Sequence, residues 1–303
     1  MSETPRGGTA LEPRPDKHSG DEVTALVERY NLQRAGARAP LWTYTRQLWA
    51  RRHFVSSFST ASNQVGYSGN FLGQAWQLLT PLLNVGVYFL VFGELLHTNH
   101  GVHNFIAYLS IGLFIFTFTQ SSVIQGAKAI SGNLGLTRAL HFPRAVLPLS
   151  RTLMVLQTLI FSMIVMIPIV LITGEPITWR WVLLVPTVAL QSLFSLGLAF
   201  ILARIGAHIP DMSQMLPFLL RVWMYLSGIL FSVKAVTKNH AGWTREVLEI
   251  NPGYVYVNLA RNALLTHNPV TMRDWYLAVG WGVVVLLIGY VVFWQGEESY
   301  GRV

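Results

Sequence analysis

Residues 105–126 read FIAYLSIGLFIFTFTQSSVIQG and contain no Asp, Glu, Lys or Arg. A helix needs about 20 apolar residues to cross roughly 30 Å of hydrocarbon, so this stretch is long enough to span a membrane. Further runs of similar length carry at most one charged residue each: 71–96, 152–173, 181–203, 212–233 and 275–294. The sequence therefore predicts an all-α integral membrane protein with six transmembrane helices.

The composition agrees with a membrane protein. Of the 303 residues, 52% are hydrophobic and only 12% are charged, whereas a soluble domain has about 25% charged residues. The net charge of +8 would suggest a nucleic-acid surface in a soluble protein, but here the basic residues flank apolar runs. Cysteine is absent, which excludes a disulfide framework or a zinc–cysteine site. We therefore expect neither a nucleic-acid partner nor a metal.

The positions of Lys and Arg predict the orientation, because short cytoplasmic segments are enriched in them. Arg46, Arg51 and Arg52 precede the first run and Arg151 precedes the third, whereas the short loop 97–104 has no Lys or Arg. We expect both termini to be cytoplasmic, in a multi-pass protein of the cytoplasmic membrane. The predicted organisation is a disordered polar tail at 1–40, an interface helix with a connector at 41–70, a six-span domain at 71–297 and a C-terminal tail at 298–303.

Residues 41–54 read LWTYTRQLWARRHF and predict an amphipathic helix. Such a helix lies in the membrane interface, where Trp and Tyr act as anchors and Arg meets anionic headgroups. The helix either only anchors the chain or also contacts a partner. The residues assigned to it are Trp42, Tyr44, Arg46 and Trp49.

Residues 127–147 read AKAISGNLGLTRALHFPRAVL, between the second and third runs. Pro143 and Pro148 are expected to interrupt the entry into the third span. A short helix before them would present apolar and basic groups to the cytoplasm. Its apolar residues either pack on the chain's own spans or form a docking surface for a cytoplasmic protein. The candidate docking residues are Asn133, Leu134, Leu136, Arg138, His141, Phe142, Pro143 and Arg144.

The segment 234–274 is too long and too apolar for a plain loop. Asn251-Pro252-Gly253 should break a helix, and the apolar stretch 254–265 that follows is too short to span a membrane. It predicts a re-entrant or interfacial helix on the external side, where irregular backbone must be covered by protein or line a watery cavity. The candidate gate residues are Asn251, Pro252, Tyr254 and Arg261.

Two features of the spans leave alternatives open. Arg221 lies inside the fifth run, and it either snorkels, pairs with another group or faces an aqueous path. Ser195, Ala199, Ala203 and Ala207 form a stripe of small residues with a spacing of four. Such stripes let helices approach closely, either within one chain or between two copies.

Four motifs follow one another between residues 41 and 297. They are Leu72-Gly73-Gln74-Ala75-Trp76 with Leu79-Thr80-Pro81-Leu82, then Asn133 with Phe142-Pro143-Arg144 and Leu147-Pro148, then Asp211 with Ser227-Gly228-Ile229, and finally Asn251-Pro252 with Arg261. In this order they resemble the permease subunit of ABC transporters that export polysaccharides, a group that includes O-antigen, teichoic-acid and cell-wall galactan exporters. The galactan exporters of actinobacteria are the most similar group. Three departures are the uncharged stretch 56–70, where the family often has basic residues, Pro210 before Asp211, where it often has Arg, and Gly228 in place of a proline.

The resemblance implies ATP-driven outward movement of a polyprenyl-diphosphate-linked polysaccharide of the galactan or O-antigen class. None of the four lysines lies in a Walker A context, so a separate ATPase would bind ATP and Mg²⁺, and this chain would need no cofactor. Two ATPase copies would dock on the segment around 133–144. Because six spans make a poor conduit for a polymer, a homodimer is expected. The channel candidates are Tyr88, Phe92, Tyr108, Phe118, Arg221 and Tyr225.

Two other classes of protein remain as alternatives. A membrane-embedded glycosyltransferase or polymerase needs carboxylates or metal ligands at a membrane face, and the chain has no Asp-x-Asp pair. An ion-coupled carrier usually has an acid or a histidine at mid-depth of a span. No predicted span has one there.

Overall fold

The computed structural model describes residue 29 and residues 39–67, 73–96, 102–139, 142–209, 211–237 and 242–300. Nearly all of the predicted polar tail 1–40 and half of the predicted C-terminal tail lie outside these ranges. All regular elements within the described ranges are helical, which confirms the all-α prediction. The helices are α1 (Leu41–Ala50), α2 (Arg52–Tyr67), α3 (Trp76–Tyr88), α4 (Phe105–Ala127), α5 (Leu134–Ala139), α6 (Val146–Ile172), α7 (Leu184–His208), α8 (Met212–Leu226), α9 (Val233–Val236), α10 (Gly242–Ile250), α11 (Pro252–Leu264) and α12 (Met272–Gln295).

Five helical segments in the described part are long and apolar enough to cross a membrane, which makes the chain a multi-pass membrane protein. They are Trp76–Leu95, Phe105–Ala127, Val146–Ile172, Trp179–His208 and Met272–Gln295. The first of them continues α3 through a π-helix at Phe89–Leu95, and the fourth includes a 3₁₀ turn before α7. The central helix is α4, because 78% of its apolar window is buried, against 11–39% in the other four.

The predicted sixth span, over 212–233, is not confirmed as a continuous helix. Helix α8 has 15 residues and ends at Leu226, and it is therefore only about 22 Å long at 1.5 Å per residue. The chain turns at Gly228, whose φ of +60° is in the left-handed region. Proline fixes φ near −65°, so glycine rather than the family's usual proline suits this conformation.

The third span begins earlier than the sequence predicts. Helix α6 starts at Val146 and includes Pro148, so the expectation that Pro148 interrupts the entry is wrong. The physical reason is position: the first turn of a helix has no intrahelical acceptor for its N–H groups, and a proline there removes no hydrogen bond.

The stripe of small residues on α7 packs within the chain. A Cβ atom added at Gly126 of α4 would lie 2.6 Å from the Cβ of Ala199, and one added at Gly289 of α12 would lie 2.2 Å from the carbonyl oxygen of Gly197. The Ser195 hydroxyl lies 3.1 Å from that of Thr119 on α4. Close helix contacts of this kind need small residues, so the stripe joins α7 to its own neighbours.

The hydrogen bonds define two ends of the bundle. At one end, Trp294 near the end of α12 donates to the Ala39 carbonyl at 3.0 Å, ahead of α1; we call this the junction end. At the other, Asn104 ahead of α4 donates to the Thr173 carbonyl at 3.1 Å, beyond α6. The N–H of Thr266 donates to Glu175 at 2.9 Å at this same end, which we call the cavity end.

Helices α10 and α11 form a hairpin that enters the bundle from the cavity end and returns to it. The Trp281 indole donates to the Ile250 carbonyl at the hairpin tip, at 2.9 Å. Trp281 is more than two turns along α12, so the tip lies about 14 Å below the start of that helix at 1.5 Å per residue. Helix α11 then leads back to Leu265 and Thr266. This geometry agrees with the predicted re-entrant helix over 254–265.

Candidate functional site

Three chain segments meet in a buried junction formed by Tyr44, Arg144, Ala145 and Glu297. Tyr44 is 2% exposed, and its hydroxyl donates to Glu297 Oε2 at 2.7 Å. The N–H of Ala145 donates to the Tyr44 hydroxyl at 3.0 Å, while the N–H of Arg144 donates to Glu297 Oε1 at 2.9 Å. Both carboxylate oxygens therefore have donors, and the junction ties α1 and the start of α6 to the end of α12.

The side chain of Arg144 strengthens the same connection, since its Nη1 donates to the Glu297 backbone carbonyl. Burial raises the pKa of the Glu297 carboxyl, while the hydrogen bonds from Arg144 and Tyr44 and the charge of Arg144 oppose that rise. Burial and the nearby Glu297 charge raise the pKa of Tyr44 well above its ordinary value. Tyr44 consequently remains a neutral hydrogen-bond donor at physiological pH.

The predicted docking segment forms the expected short helix, α5, after a 3₁₀ turn at Ser131–Asn133. Leu134, Leu136 and Phe142 are half-buried and pack on an apolar cluster that includes Ile130 and Tyr300. Pro143 is buried, and the Asn133 amide donates to the Ala129 carbonyl at 2.8 Å. The apolar residues of this segment thus contact the chain's own core, as one of the two interpretations expects.

An exposed edge remains on this segment for a partner. Ser131, Gly132 and Gly135 are exposed, and a Cβ added at either glycine has open space around it. His141 and the side chain of Arg138 lie outside what the structure describes. The assignment of the segment to docking stays a prediction.

Helix α1 has two distinct faces. Trp42 and Trp49 are 81% and 72% exposed, and Arg46 is exposed between them with a spacing that places all three on one face. Tyr44 points the other way, into the junction. The prediction that Tyr44 anchors the helix among lipid headgroups is therefore wrong, because its hydroxyl is hydrogen-bonded inside the protein.

Asn251 caps two helix ends at the hairpin tip. Its Oδ1 accepts from the Gly253 N–H at 3.0 Å, at the start of α11, and from the Trp223 indole at 2.8 Å. Its Nδ2 donates to the Leu226 carbonyl at 3.1 Å, at the end of α8. Pro252 occupies the first turn of α11, where its missing N–H costs no hydrogen bond. One side chain thus joins the truncated α8 to the re-entrant helix.

Arg261 is fully buried, with no exposed surface. Its guanidinium donates to the carbonyls of Tyr108 at 3.1 Å, Gly228 at 2.9 Å and Ile229 at 3.0 Å. The Tyr108 ring centroid lies 3.3 Å from the guanidinium carbon. The fork-like donor geometry of arginine suits several carbonyls at once, and these contacts join α11 to α4 and to the turn after α8. Arg261 therefore stabilises the fold around the hairpin.

The channel candidates separate into two groups. Tyr88 is half-buried, and Arg221 and Tyr225 are exposed; Tyr88 interacts electrostatically with both of the others. Phe92 is half-buried on the π-helical part of the first span. Tyr108 and Phe118 are buried within the chain. The assignment of these residues to a channel stays a prediction.

Sequence reasoning missed Glu297 and the contact of Trp223 with Asn251. Glu297 lies just beyond the last span, and no local pattern in the sequence links it to Tyr44 or Arg144. Trp223 looks in the sequence like one more apolar residue of the fifth run. The contact between Trp223 and Asn251 forms because α8 ends at Leu226 and does not continue as a span. In the sequence, Gly228 is the local residue that indicates this end.

The comparisons with known proteins agree with this architecture. A profile described as ABC-2 type transporter matches residues 56–265. The O-antigen export system permease protein RfbA of Myxococcus xanthus is 30% identical over 207 residues, which are 68% of this chain and 78% of that protein. The O-antigen export system permease protein RfbA of Klebsiella pneumoniae is 21% identical over 233 residues, 76% of this chain and 86% of that protein. The polysialic acid transport protein KpsM of Escherichia coli is 29% identical over 237 residues, 75% of this chain and 87% of that protein. Because the profile covers more than half of the chain, including the docking segment and the re-entrant helix, the chain belongs to the ABC-2 type transporter family.

Proposed function

We propose that this chain is the membrane permease of an ABC exporter, and that it moves a lipid-linked polysaccharide from the cytoplasm to the external side. The observation that carries the proposal is the junction, which ties the predicted docking segment to α1, α6 and α12 through Glu297. The names of the relatives support a polysaccharide cargo. A polyprenyl-diphosphate-linked glycan, of cell-wall galactan or O-antigen type, is the cargo we propose.

In this proposal the junction end faces the cytoplasm, with both termini on that side, and a separate ATPase binds there with its own ATP and Mg²⁺. Closure of the ATPase pushes the exposed edge at Ser131, Gly132 and Gly135. Because Arg144 and Ala145 are hydrogen-bonded to Glu297 and Tyr44, the displacement passes to α12 and to the interface helix α1. The hairpin, held by Asn251 and Arg261, forms the external gate.

A homodimer with two ATPase copies completes the proposed exporter. Arg221 is exposed on α8, and a charged side chain facing lipid at mid-depth is costly. A second copy facing this surface would enclose Arg221, Tyr225 and Tyr88 along an aqueous path. Aromatic rings there offer apolar faces to sugar rings.

The docking step is tested with two matched glycine variants. Gly135→Trp adds a bulky ring at the exposed edge of α5, and Gly242→Trp adds the same ring at the start of α10, at the opposite end of the bundle. Both glycines have open space around an added Cβ, so both variants should fold. Gly135→Trp should abolish co-purification of the ATPase and ATP-dependent export in proteoliposomes, and Gly242→Trp should retain ATPase binding.

Equal ATPase binding by both variants would contradict the docking assignment. Glycan transfer or polymerisation by the purified chain alone, without an ATPase, would favour the membrane enzyme instead. Transport driven by an ion gradient without ATP would favour the ion-coupled carrier. Family membership supports the permease over both of these classes.

A further inference from the structure

The cavity end contains a pocket of about 370 Å³ between the hairpin and the ends of α4 and α6. This volume lies at the lower end of the range of about 300–1,000 Å³ that is usual for small-molecule sites. We propose that this pocket binds a single neutral sugar residue through the amide of Asn262. The inference takes the source of that sugar, the exported glycan, from the proposed function; the binding site itself stands on the pocket.

Asn262 is the residue that points to a ligand. It lines the pocket from α11 and is 2% exposed. Within the described ranges, neither its Oδ1 nor its Nδ2 has a hydrogen-bond partner. A buried amide left without partners costs about 1–3 kcal/mol, and such groups in native proteins usually bond to water, an ion or a ligand. One amide offers an acceptor and two donors side by side, which matches two adjacent hydroxyl groups of a sugar.

The rest of the pocket floor also suits a sugar. The buried ring of Tyr254 lines it, and aromatic ring faces pack against the C–H faces of a sugar. Asn258 lines the pocket while its Nδ2 donates to Asp274 at 2.8 Å, so its Oδ1 is oriented by that bond. The amide atoms of Asn262 have almost no exposed surface, so sugar binding requires this side chain to turn toward the pocket.

The charges favour a neutral ligand over an anion. Glu175 lines the inner part of the pocket and is 6% exposed; it is held by Asn104 at 3.3 Å and by the Thr266 N–H at 2.9 Å. An anion at the floor would meet this carboxylate. The cationic or titratable groups Lys234, His103 and His267 are exposed at the mouth, where water screens them.

Direct binding tests the proposal without the ATPase. The full chain in lipid nanodiscs is mixed with methyl glycosides of galactose, mannose and rhamnose, and binding is measured by saturation-transfer difference NMR. Asn262→Leu removes the amide and keeps the volume, and it should fold at least as well because a buried unpaired polar group is lost. We expect Asn262→Leu to weaken glycoside binding about tenfold, because one or two hydrogen bonds to the sugar are lost. The matched control Asn84→Leu, on exposed α3 surface, should bind as the unchanged chain does.

A second measurement uses one folded protein before and after labelling. The chain has no cysteine, so His267→Cys creates a single labelling site at the mouth of the pocket. A bulky maleimide there should abolish glycoside binding, while the same label at Ile177→Cys, which is exposed at the cavity end outside the pocket, should not.

The outcomes are distinct. The proposal is overturned if no glycoside binds, or if the Asn262→Leu variant binds as tightly as the unchanged chain. In either case the pocket holds only water. Tighter binding of inorganic phosphate or galactose 1-phosphate than of the neutral glycosides also overturns it, in favour of an anion site. If Gly135→Trp disproves ATPase docking while glycosides still bind, the proposed function fails and the sugar site remains.

Discussion

The hydroxyl of Tyr44 donates a 2.7 Å hydrogen bond to Glu297, 253 positions later in the chain. This bond joins the interface helix to the end of the last span, and Glu297 in turn accepts from the N–H of Arg144 ahead of α6. The junction is therefore the point where α1, the last span and the predicted docking segment depend on one another.

Removing the Tyr44 hydroxyl should destabilise the protein. Tyr44→Phe leaves Glu297 Oε2 and the Ala145 N–H without their partner in a buried site. An unsatisfied buried group costs about 1–3 kcal/mol, so the midpoint of thermal unfolding in detergent should fall. Tyr276→Phe, at an exposed position of α12, is the control and should leave the midpoint unchanged. Equal midpoints for both variants would show that the junction does not stabilise the fold.

The raised pKa of Glu297 predicts a pH dependence of stability. Because its pKa is raised in the folded protein, the folded state binds more protons than the unfolded state between the ordinary and the raised value. Stability from this group is present below that window and is lost as the pH rises through the folded pKa. We therefore expect the difference in unfolding midpoint, the unchanged chain minus the Glu297→Gln variant, to decrease as the pH rises.

The neighbouring exposed residue provides the matched control for that experiment, as Glu298→Gln makes the same chemical change one position beyond the buried Glu297. If the plots of unfolding midpoint against pH are parallel for Glu297→Gln and the unchanged chain, Glu297 does not titrate as its burial predicts.

Arg261 should tolerate no substitution, including lysine. Arg261→Lys keeps the charge but cannot reach the three carbonyls of Tyr108, Gly228 and Ile229 together. Hydrogen bonds to charged groups contribute about 1.5–3 kcal/mol each, so a loss of at least about 2 kcal/mol and a low yield of folded protein are expected. Arg245→Lys, in an exposed pair with Glu249, should fold normally in the same fluorescence-detected gel filtration. A normal elution profile for Arg261→Lys would refute the role assigned to its guanidinium.

Two glycines on α12 test the contact between the last span and α7. A Cβ added at Gly289 would lie 2.2 Å from the Gly197 carbonyl oxygen, whereas one added at Gly280 has open space. Gly289→Ala should force the helices apart and lower the unfolding midpoint. Gly280→Ala should raise it or leave it unchanged, because alanine favours a helix by up to about 1 kcal/mol. The opposite order of the two variants would mean that α7 and α12 do not cross as described.

The local features of the fold could be predicted from the sequence because each depends on neighbouring residues. Apolar runs such as 105–126 give spans by length, and the short helix before Phe142 and the re-entrant helix after Asn251 follow from prolines, glycines and local hydropathy. The π-helical end of the first span at Phe89–Leu95 and the early start of α6 at Val146 were not predicted. Hydropathy averages over a window and does not report where a hydrogen-bond pattern changes.

The candidate site was predicted only in part. Tyr44 was assigned to the membrane surface because aromatic residues favour the interface, but its partner Glu297 was invisible without the third dimension. Arg261 was assigned to the gate from its motif, and its three carbonyl partners come from α4 and from the turn after α8.

The sequence by itself determined that this is a helical membrane protein, with a short helix before Phe142 and a re-entrant helix after Asn251, since hydrophobic length and helix-breaking residues are local properties. The tertiary structure alone decided that α8 stops at Leu226, that Tyr44 turns inward to Glu297, and that Asn262 lines a pocket with no hydrogen-bond partner among the described residues. Each of these depends on contacts between residues far apart in the chain, and the energy of burying a polar group is set by the partners that packing supplies.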